Sequence, residues 1–156
     1  GTGSQSMSQS MPDFLPDRLE AGTHNVPGIA GLLAGVRYVQ QRGPENILLR
    51  ERRLAQLVSE GLRRLPGVTV YANGDLHSQA GVVSFTSRDL GAEEIAAALG
   101  EKDIAVRAGL HCAPLAHETV GTVDTGTVRV SFSDHNTPRE VEGFLDAMEE
   151  ILTQKP

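Results

Sequence analysis

The chain has 156 residues, a formal net charge of −6 and 39% hydrophobic residues, which fits one globular domain and argues against a nucleic-acid or membrane surface. No apolar run approaches the roughly 20 residues that a membrane-spanning helix needs, and the polar N-terminus shows no secretory signal. The only cysteine, Cys112, cannot form an internal disulfide, which predicts a reducing, cytoplasmic setting.

The first part of the chain is predicted to be irregular and then helical. Residues 1–26 are rich in Gly, Ser and Met and are interpreted as an irregular segment. A helix follows from Pro27 to Gly43, with an apolar stripe at i, i+3, i+4 and i+7 formed by Ile29, Leu32, Leu33 and Val36. A second helix runs from Pro44 to about Leu65. Its predicted buried face consists of Leu54, Leu57, Val58, Leu62 and Leu65, and its predicted solvated face of Arg50, Glu51, Arg52 and Arg53.

Residues 67–156 are predicted to form a small α+β domain, to which the two helices of residues 27–66 connect. Strands are expected over residues 68–71, 81–86, 103–107 and 127–132, with a helix over 92–99 and a loop over 108–126. Loops of that length in a compact domain are often functional. A capping box over residues 137–140 begins the last helix, whose predicted buried face is Val141, Phe144, Leu145, Met148 and Ile151. The pattern predicts a four-stranded antiparallel or mixed sheet with helices on one face.

The stretch from Arg107 to Pro114 surrounds the only cysteine. A thiolate is a nucleophile, and positive charge nearby makes it easier to form, so Cys112 is a candidate reactive thiol. A lone cysteine can equally be a small buried hydrophobic residue. The spacing of His111, Cys112 and His117 also offers three zinc ligands, a weak signal because structural zinc sites usually have four ligands in paired spacings.

Two further stretches could bind an anion. Arg129 lies within a strand and shares a face with small polar residues, opposite the apolar face, so its guanidinium could bind a carboxylate or phosphate. An arginine that simply faces solvent is the alternative. Gly22-Thr23 could place a backbone N–H and a hydroxyl beside an anion at the start of the first helix, although an ordinary loop would have the same composition.

Three stretches, in this order, together resemble the class V aminotransferase family and, within it, the cysteine desulfurases: LEAGTHNVPGIAGL, VRAGLHCAPLAH and GTVDTGTVRVSFSDHNT. The first is similar to the family's E-x-G-T-x-N segment, the second to its catalytic-cysteine loop, and the third to the strand that carries a substrate-binding arginine. The resemblance covers nearly the whole chain. It implies the small C-terminal domain of a fold type I pyridoxal-phosphate enzyme.

The resemblance also implies a reaction and a set of roles. Sulfur would pass from L-cysteine to Cys112 as a persulfide, giving L-alanine, and then to a sulfur-acceptor protein, as in iron–sulfur cluster assembly. Pyridoxal phosphate would be the cofactor and the enzyme a homodimer. The resemblance places the substrate at Arg129, Arg107 and His111, and the cofactor phosphate at Gly22 and Thr23 across the dimer interface.

The chain departs from the family pattern in its lysines. A pyridoxal enzyme needs a lysine for its Schiff base, and neither Lys102 nor Lys155 matches the family position. The resemblance therefore implies the last third of such an enzyme, as a truncated form or a proteolytic product. Alone, it should not bind the cofactor covalently and should be inactive. It should self-associate through exposed apolar residues, with residues 1–25 mobile or swapped; the expected exposed residues are Leu15, Ile29, Leu32 and Leu110.

Other functions stay open at this point. The intact enzyme could be a selenocysteine lyase or another class V aminotransferase, because one fold hosts several chemistries. Alternatively, the chain could be a free-standing persulfide carrier, or an interaction domain with an inert cysteine.

Overall fold

The computed structural model of the chain describes residue 5, residues 7–20 and residues 22–153. The chain divides between Gly43 and Pro44 into two compact units. Among the described residues no helix is long and apolar enough to cross a membrane. The predicted division into an irregular segment, connecting helices and a small domain stays a prediction, as does the mobility of residues 1–25, some of which lie outside the described residues.

The first unit contains a short 3-10 helix, Asp17–Leu19, and the helix α1, Val26–Arg42. The side chain of Asn25 caps α1 by accepting a hydrogen bond from the Gly28 N–H at 3.0 Å. A Cβ at Gly28 would lie 2.4 Å from the Asn25 side chain, which explains the glycine there. No side chain of α1 is buried, and its predicted apolar stripe is exposed.

The second unit is α+β, and its sheet has four antiparallel strands in the order β1-β2-β4-β3, which confirms the predicted fold class. A 3-10 turn, Leu76–Ser78, lies between the first two strands. The elements in chain order are α2 Pro44–Leu62, β1 Val68–Tyr71, β2 Val82–Ser87, α3 Ala92–Gly100, β3 Arg107–Gly109, α4 Pro114–Val120, β4 Thr127–Ser131 and α5 Pro138–Thr153.

The core lies between one face of the sheet and the helices α2, α3 and α5. Alternation along β2 and β4 buries Val83, Phe85 and Val128 completely, and the ring of Phe85 meets that of Phe144 edge to face at 6.2 Å. The predicted buried faces are confirmed for most residues: Leu54, Val58, Leu62, Val141, Phe144, Met148 and Ile151. The prediction is wrong for Leu57, which is 44% exposed.

Two predictions around the cysteine are wrong. The third strand was expected over residues 103–107, but β3 is Arg107–Gly109, because the chain leaves α3 through a left-handed residue, Asp103 (φ +60°), and pairs with β4 only from Arg107 onward. The segment 108–126 was expected to be a loop, but it contains α4. Pro114 suits the first turn of a helix, and Gly121 ends it in the left-handed conformation.

The charged run on α2 was expected to be solvated, and this is wrong for two of its arginines. Arg50 donates to the carbonyl of Asn136 at 2.7 Å, and Arg52 donates to the carbonyls of Gln79 and His77. These side chains bind loops at the ends of the sheet strands to α2.

Candidate active site

The only thiol of the chain lies in a strained turn between β3 and α4. Two consecutive residues there adopt the left-handed conformation, His111 with φ +53° and Cys112 with φ +58°. Such conformations cost roughly 1–3 kcal/mol each and persist where surrounding contacts fix them, often at functional sites. Cys112 is exposed, so the interpretation of a buried packing residue is wrong.

The ring of His111 is held by the first residue of β4. Its Nε2 atom lies 3.1 Å from the carbonyl oxygen of Thr127 and 3.1 Å from the hydroxyl oxygen of the same residue. Because a carbonyl oxygen only accepts, Nε2 carries the hydrogen and donates it. The other ring nitrogen, Nδ1, is buried and has no hydrogen-bond partner within the described part of the chain.

The charge state of His111 follows from this environment. Burial is the largest effect and lowers the pKa of His111 from its ordinary value of 6.5, partly opposed by the hydrogen bond to Thr127. Electrostatic interactions with Arg129, His117 and Arg107 lower the pKa of His111 further. The ring is therefore mainly neutral near pH 7, with its proton on Nε2.

Two arginines lie side by side on the sheet face opposite the core. Arg129 of β4 is in register with Arg107 of β3 on one side and with Ser84 of β2 on the other. Its neighbours Val128 and Val130 are buried in the core, so alternation places Arg129 on the outer face. Neither guanidinium has an ion-pair or hydrogen-bond partner among the residues that the structure describes. Two such groups on adjacent strands suit a carboxylate ligand.

A second histidine stabilises the segment behind the cysteine. His117 of α4 is buried, and its Nδ1 atom lies 2.7 Å from the hydroxyl oxygen of Thr122. Its ring centre lies 5.9 Å from that of His111. The described residues include no group of three or more His, Cys, Asp or Glu side chains that could hold a metal ion. Both histidines use one ring nitrogen in bonds to threonines, so the zinc hypothesis gains no support.

The two ends of the cysteine segment meet through glycines. Gly109 (φ +106°) ends β3, and Gly126 (φ +60°) precedes β4. A Cβ at Gly126 would lie 2.9 Å from the Cα of Gly109, so the two backbones can approach this closely only without a side chain. Residues 110–125 therefore leave and re-enter the sheet at one point.

Gly22 and Thr23, the predicted phosphate contacts, lie in the first unit. Gly22 has φ +84° with open space around its Cα, and Thr23 is exposed three residues before α1. Their role at a cofactor phosphate stays a prediction.

Among the described residues of this site, no lysine side chain is available to form a Schiff base. The Lys102 ammonium group lies 2.7 Å from the Glu150 carboxylate, between the end of α3 and α5. Lys155 lies outside the described residues. The residues present therefore supply a thiol and two guanidinium groups, and they do not supply a group that could hold pyridoxal phosphate covalently.

Comparison with known families decides the class of protein. The family model described as aminotransferase class V matches residues 2–144. The chain belongs to the class V aminotransferase family. Within this family, a probable cysteine desulfurase from Pyrococcus abyssi is 40% identical over 137 residues, covering 88% of this chain and 33% of that protein.

Solved structures of other proteins share the fold. The apo structure of a cysteine desulfurase from Thermococcus onnurineus NA1 has a TM-score of 0.79 and 41% identity, over 90% of this chain and 34% of that one. A variant of C-DES with glycine covalently linked to its PLP cofactor has a TM-score of 0.68 and 26% identity, over 86% of this chain and 31% of that one. The chain thus spans about a third of the length of these relatives.

Sequence reasoning missed the contacts that hold this site together. Thr127 and Thr122 were not among the predicted site residues, although both are buried and both bind a histidine ring. A buried threonine can be suspected where it begins a strand or follows a helix-ending glycine, but its partner depends on the strand register, which the sequence does not reveal.

Proposed function

We propose that these residues belong to a pyridoxal-phosphate-dependent cysteine desulfurase that takes sulfur from L-cysteine as a persulfide on Cys112 and releases L-alanine. The observation that supports this most directly is the pairing of an exposed thiol in a strained turn with two arginines on the adjoining sheet face that have no partner among the described residues. The relatives named cysteine desulfurase agree with it.

The first role is substrate binding. In our proposal the planar guanidinium of Arg129 binds the carboxylate of L-cysteine through two parallel hydrogen bonds. Its Nε is buried and without a partner among the described residues, so a carboxylate would supply the missing acceptor. Arg107, its register neighbour, adds positive charge, and a bound carboxylate would relieve the repulsion between the two.

The second role is sulfur transfer. The Cys112 thiolate attacks the sulfur of the substrate, and a new S–S bond forms while the substrate's Cβ–S bond breaks. The electron pair of that bond passes into the substrate skeleton, for which pyridoxal phosphate would supply the electron sink when bound, and Cβ takes up a proton and becomes the methyl group of alanine. Cys112 is left as a persulfide that keeps the substrate's sulfur, and a sulfur-acceptor protein can reach it because the side chain is exposed.

The cofactor is assigned to the part of the protein outside these residues. Among the described residues the Lys102 ammonium group pairs with Glu150, neither Lys102 nor Lys155 matches the family position in sequence, and the chain spans about a third of its relatives' length. We therefore propose that the chain by itself neither binds pyridoxal phosphate covalently nor releases alanine from cysteine. The homodimer, the phosphate contacts of Gly22 and Thr23, and the cytoplasmic setting belong to the same proposal.

The test uses the full-length protein that the gene encodes, supplied with pyridoxal phosphate, and measures alanine release from L-cysteine. We expect Cys112→Ser to abolish release and Arg129→Gln to raise KM for L-cysteine by about tenfold or more, because a charge-assisted pair is lost. Thr119→Val, an exposed change on α4, is the matched control and should leave the rate unchanged. Full activity of Cys112→Ser would refute the proposed role of the thiol.

A further inference from the structure

The strained turn at Cys112 needs a contact that fixes it. Neither His111 nor Cys112 is a glycine, and both have positive φ angles. A residue with a Cβ avoids this conformation unless tertiary contacts outweigh the cost. The backbone supplies one local bond, from the Ala113 N–H to the Leu110 carbonyl at 2.9 Å.

The contact that meets this need is the bond between His111 and Thr127. Thr127 is 2% exposed, so the residue is shielded from water, and its hydroxyl oxygen lies 3.1 Å from Nε2 of His111. The carbonyl of the same residue accepts the same Nε2–H. One residue of β4 thus fixes the ring plane and the position of the proton on His111.

Thr127 also belongs to the strand that carries the proposed carboxylate site. It lies two residues before Arg129, on the same face of β4, and pairs with Gly109 of β3. Any shift of His111 relative to Thr127 therefore moves Cys112 relative to both arginines. Arg129 and Arg107 already act electrostatically on His111, the residue next to Cys112.

We propose that Thr127, acting through His111, is a positioning residue that holds the Cys112 thiol beside the guanidinium groups of Arg129 and Arg107. This rests on the proposed function, since it explains how a nucleophile and a carboxylate-binding site keep a fixed separation. His111 in this account orients the turn and does not exchange protons with the substrate.

The test measures the electrostatic potential at the sulfur of Cys112, which is the only thiol in the chain. The 156-residue chain is alkylated with anionic iodoacetate and with neutral iodoacetamide in a buffer of low ionic strength. Both reagents react with the thiolate, so the ratio of their rates does not depend on how much thiolate is present. The ratio of the iodoacetate rate to the iodoacetamide rate rises when cations lie near the sulfur. The urea-unfolded chain gives the reference ratio.

For the folded chain we expect a ratio about fivefold above the reference, the size of effect that two positive charges have at a distance near 8 Å in water. His111→Asn tolerates the left-handed backbone but has a shorter side chain, and it should bring the ratio most of the way to the reference. Thr127→Val keeps the shape and removes only the hydroxyl, so it should lower the ratio by about twofold. The matched control Thr119→Val changes a hydroxyl that bonds only within α4 and should leave the ratio unchanged.

The outcomes are distinct. If circular dichroism shows that the His111→Asn variant does not fold, the ratio measured for Thr127→Val alone tests the positioning role. An unchanged ratio in folded variants, or an equal fall in the Thr119→Val control, overturns the positioning role. Arg129→Gln tests the arginine site separately. If the wild-type ratio equals the reference ratio and Arg129→Gln does not change it, the result counts against the proposed function itself.

Discussion

At the residue scale, the surroundings of His111 determine its charge state. Its Nε2 donates to Thr127, its Nδ1 is buried, and its pKa is lowered mainly by burial. The fold therefore favours the neutral ring. Protonation would place a charge on a half-buried ring that already feels the positive charges of Arg129 and Arg107, which is unfavourable.

This predicts a pH dependence of stability. The pKa of His111 is lower in the folded state than in the unfolded chain, where it is about 6.5, so on acidification the unfolded state takes up the proton first. The free energy of unfolding should fall as the pH drops through about 6.5, and this contribution stops changing once the pH is below the folded-state pKa. Urea unfolding measured between about pH 7.5 and pH 5.5 checks it.

The control is His111→Asn, which removes the titrating group. We expect this variant to lose less stability than the wild type over the same interval. An identical loss in both proteins would show that His111 is not shielded in the folded state. Arg129→Gln should make the wild-type dependence shallower, because it removes one of the charges that lower the pKa of His111.

The sequence predicted the residue-scale features that depend on local alternation. It placed Arg129 opposite the core because Val128 and Val130 flank it. It did not reveal the contact between His111 and Thr127, because residues 16 positions apart meet only once the strand register is known. Nor did it predict the left-handed pair, since neither residue is a glycine.

At the element scale, the lobe of residues 110–125 depends on the close approach of two glycines. Gly126 has a positive φ and leaves no room for a Cβ above Gly109. The bond between His117 and Thr122 stabilises the same lobe from within. A change at Gly126 should therefore loosen the join between β3 and β4 and shift the cysteine turn.

We predict that Gly126→Ala destabilises the fold by about 2–4 kcal/mol, from backbone strain together with the steric clash. Urea denaturation followed by circular dichroism measures the change. The matched control is Gly100→Ala at the end of α3, where no atom lies within 4 Å of the added carbon. That variant should be neutral or more stable by up to about 1 kcal/mol. Equal stability of the two variants would contradict the account of the glycine join.

The helices and most strands were predictable because their apolar periodicity agrees with the observed core. The errors occur where an element is too short to show a clear apolar periodicity. α4 has seven residues with only one buried, His117, so it shows no apolar stripe, although Pro114 and Gly121 mark its ends. The residues before β3 were assigned to the strand because Ile104 and Val106 alternate, yet they pack against the core without pairing.

At the scale of the whole molecule, the apolar stripe of α1 is unlike that of α5. Both helices show the same periodicity, but α5 buries five residues and α1 buries none. The predicted exposure of Leu15, Ile29, Leu32 and Leu110 is confirmed. The sequence predicts the stripe, and only a structure shows whether a partner covers it.

We predict that the 156-residue chain forms a dimer or larger assembly through this stripe. Replacing Leu32 and Val36 together by Glu should weaken association by at least about tenfold, because it places charges in an apolar contact. Ala34→Glu, which adds a charge on the opposite side of α1, is the control and should leave association unchanged. Light scattering over a concentration series measures the mass; a monodisperse monomer of the unaltered chain would contradict the prediction.

The central proposal is that Cys112 receives the sulfur of L-cysteine in the intact protein. The most direct measurement supplies the full-length protein that the gene encodes, together with pyridoxal phosphate, with L-cysteine labelled with a heavy sulfur isotope. Mass spectrometry of the peptide that contains Cys112 then follows the label. We predict that this peptide gains one labelled sulfur atom in amounts that match the alanine released, and that Cys112→Ser gives neither product. Alanine released while Cys112 stays unlabelled, or label bound elsewhere in the protein, would contradict the account.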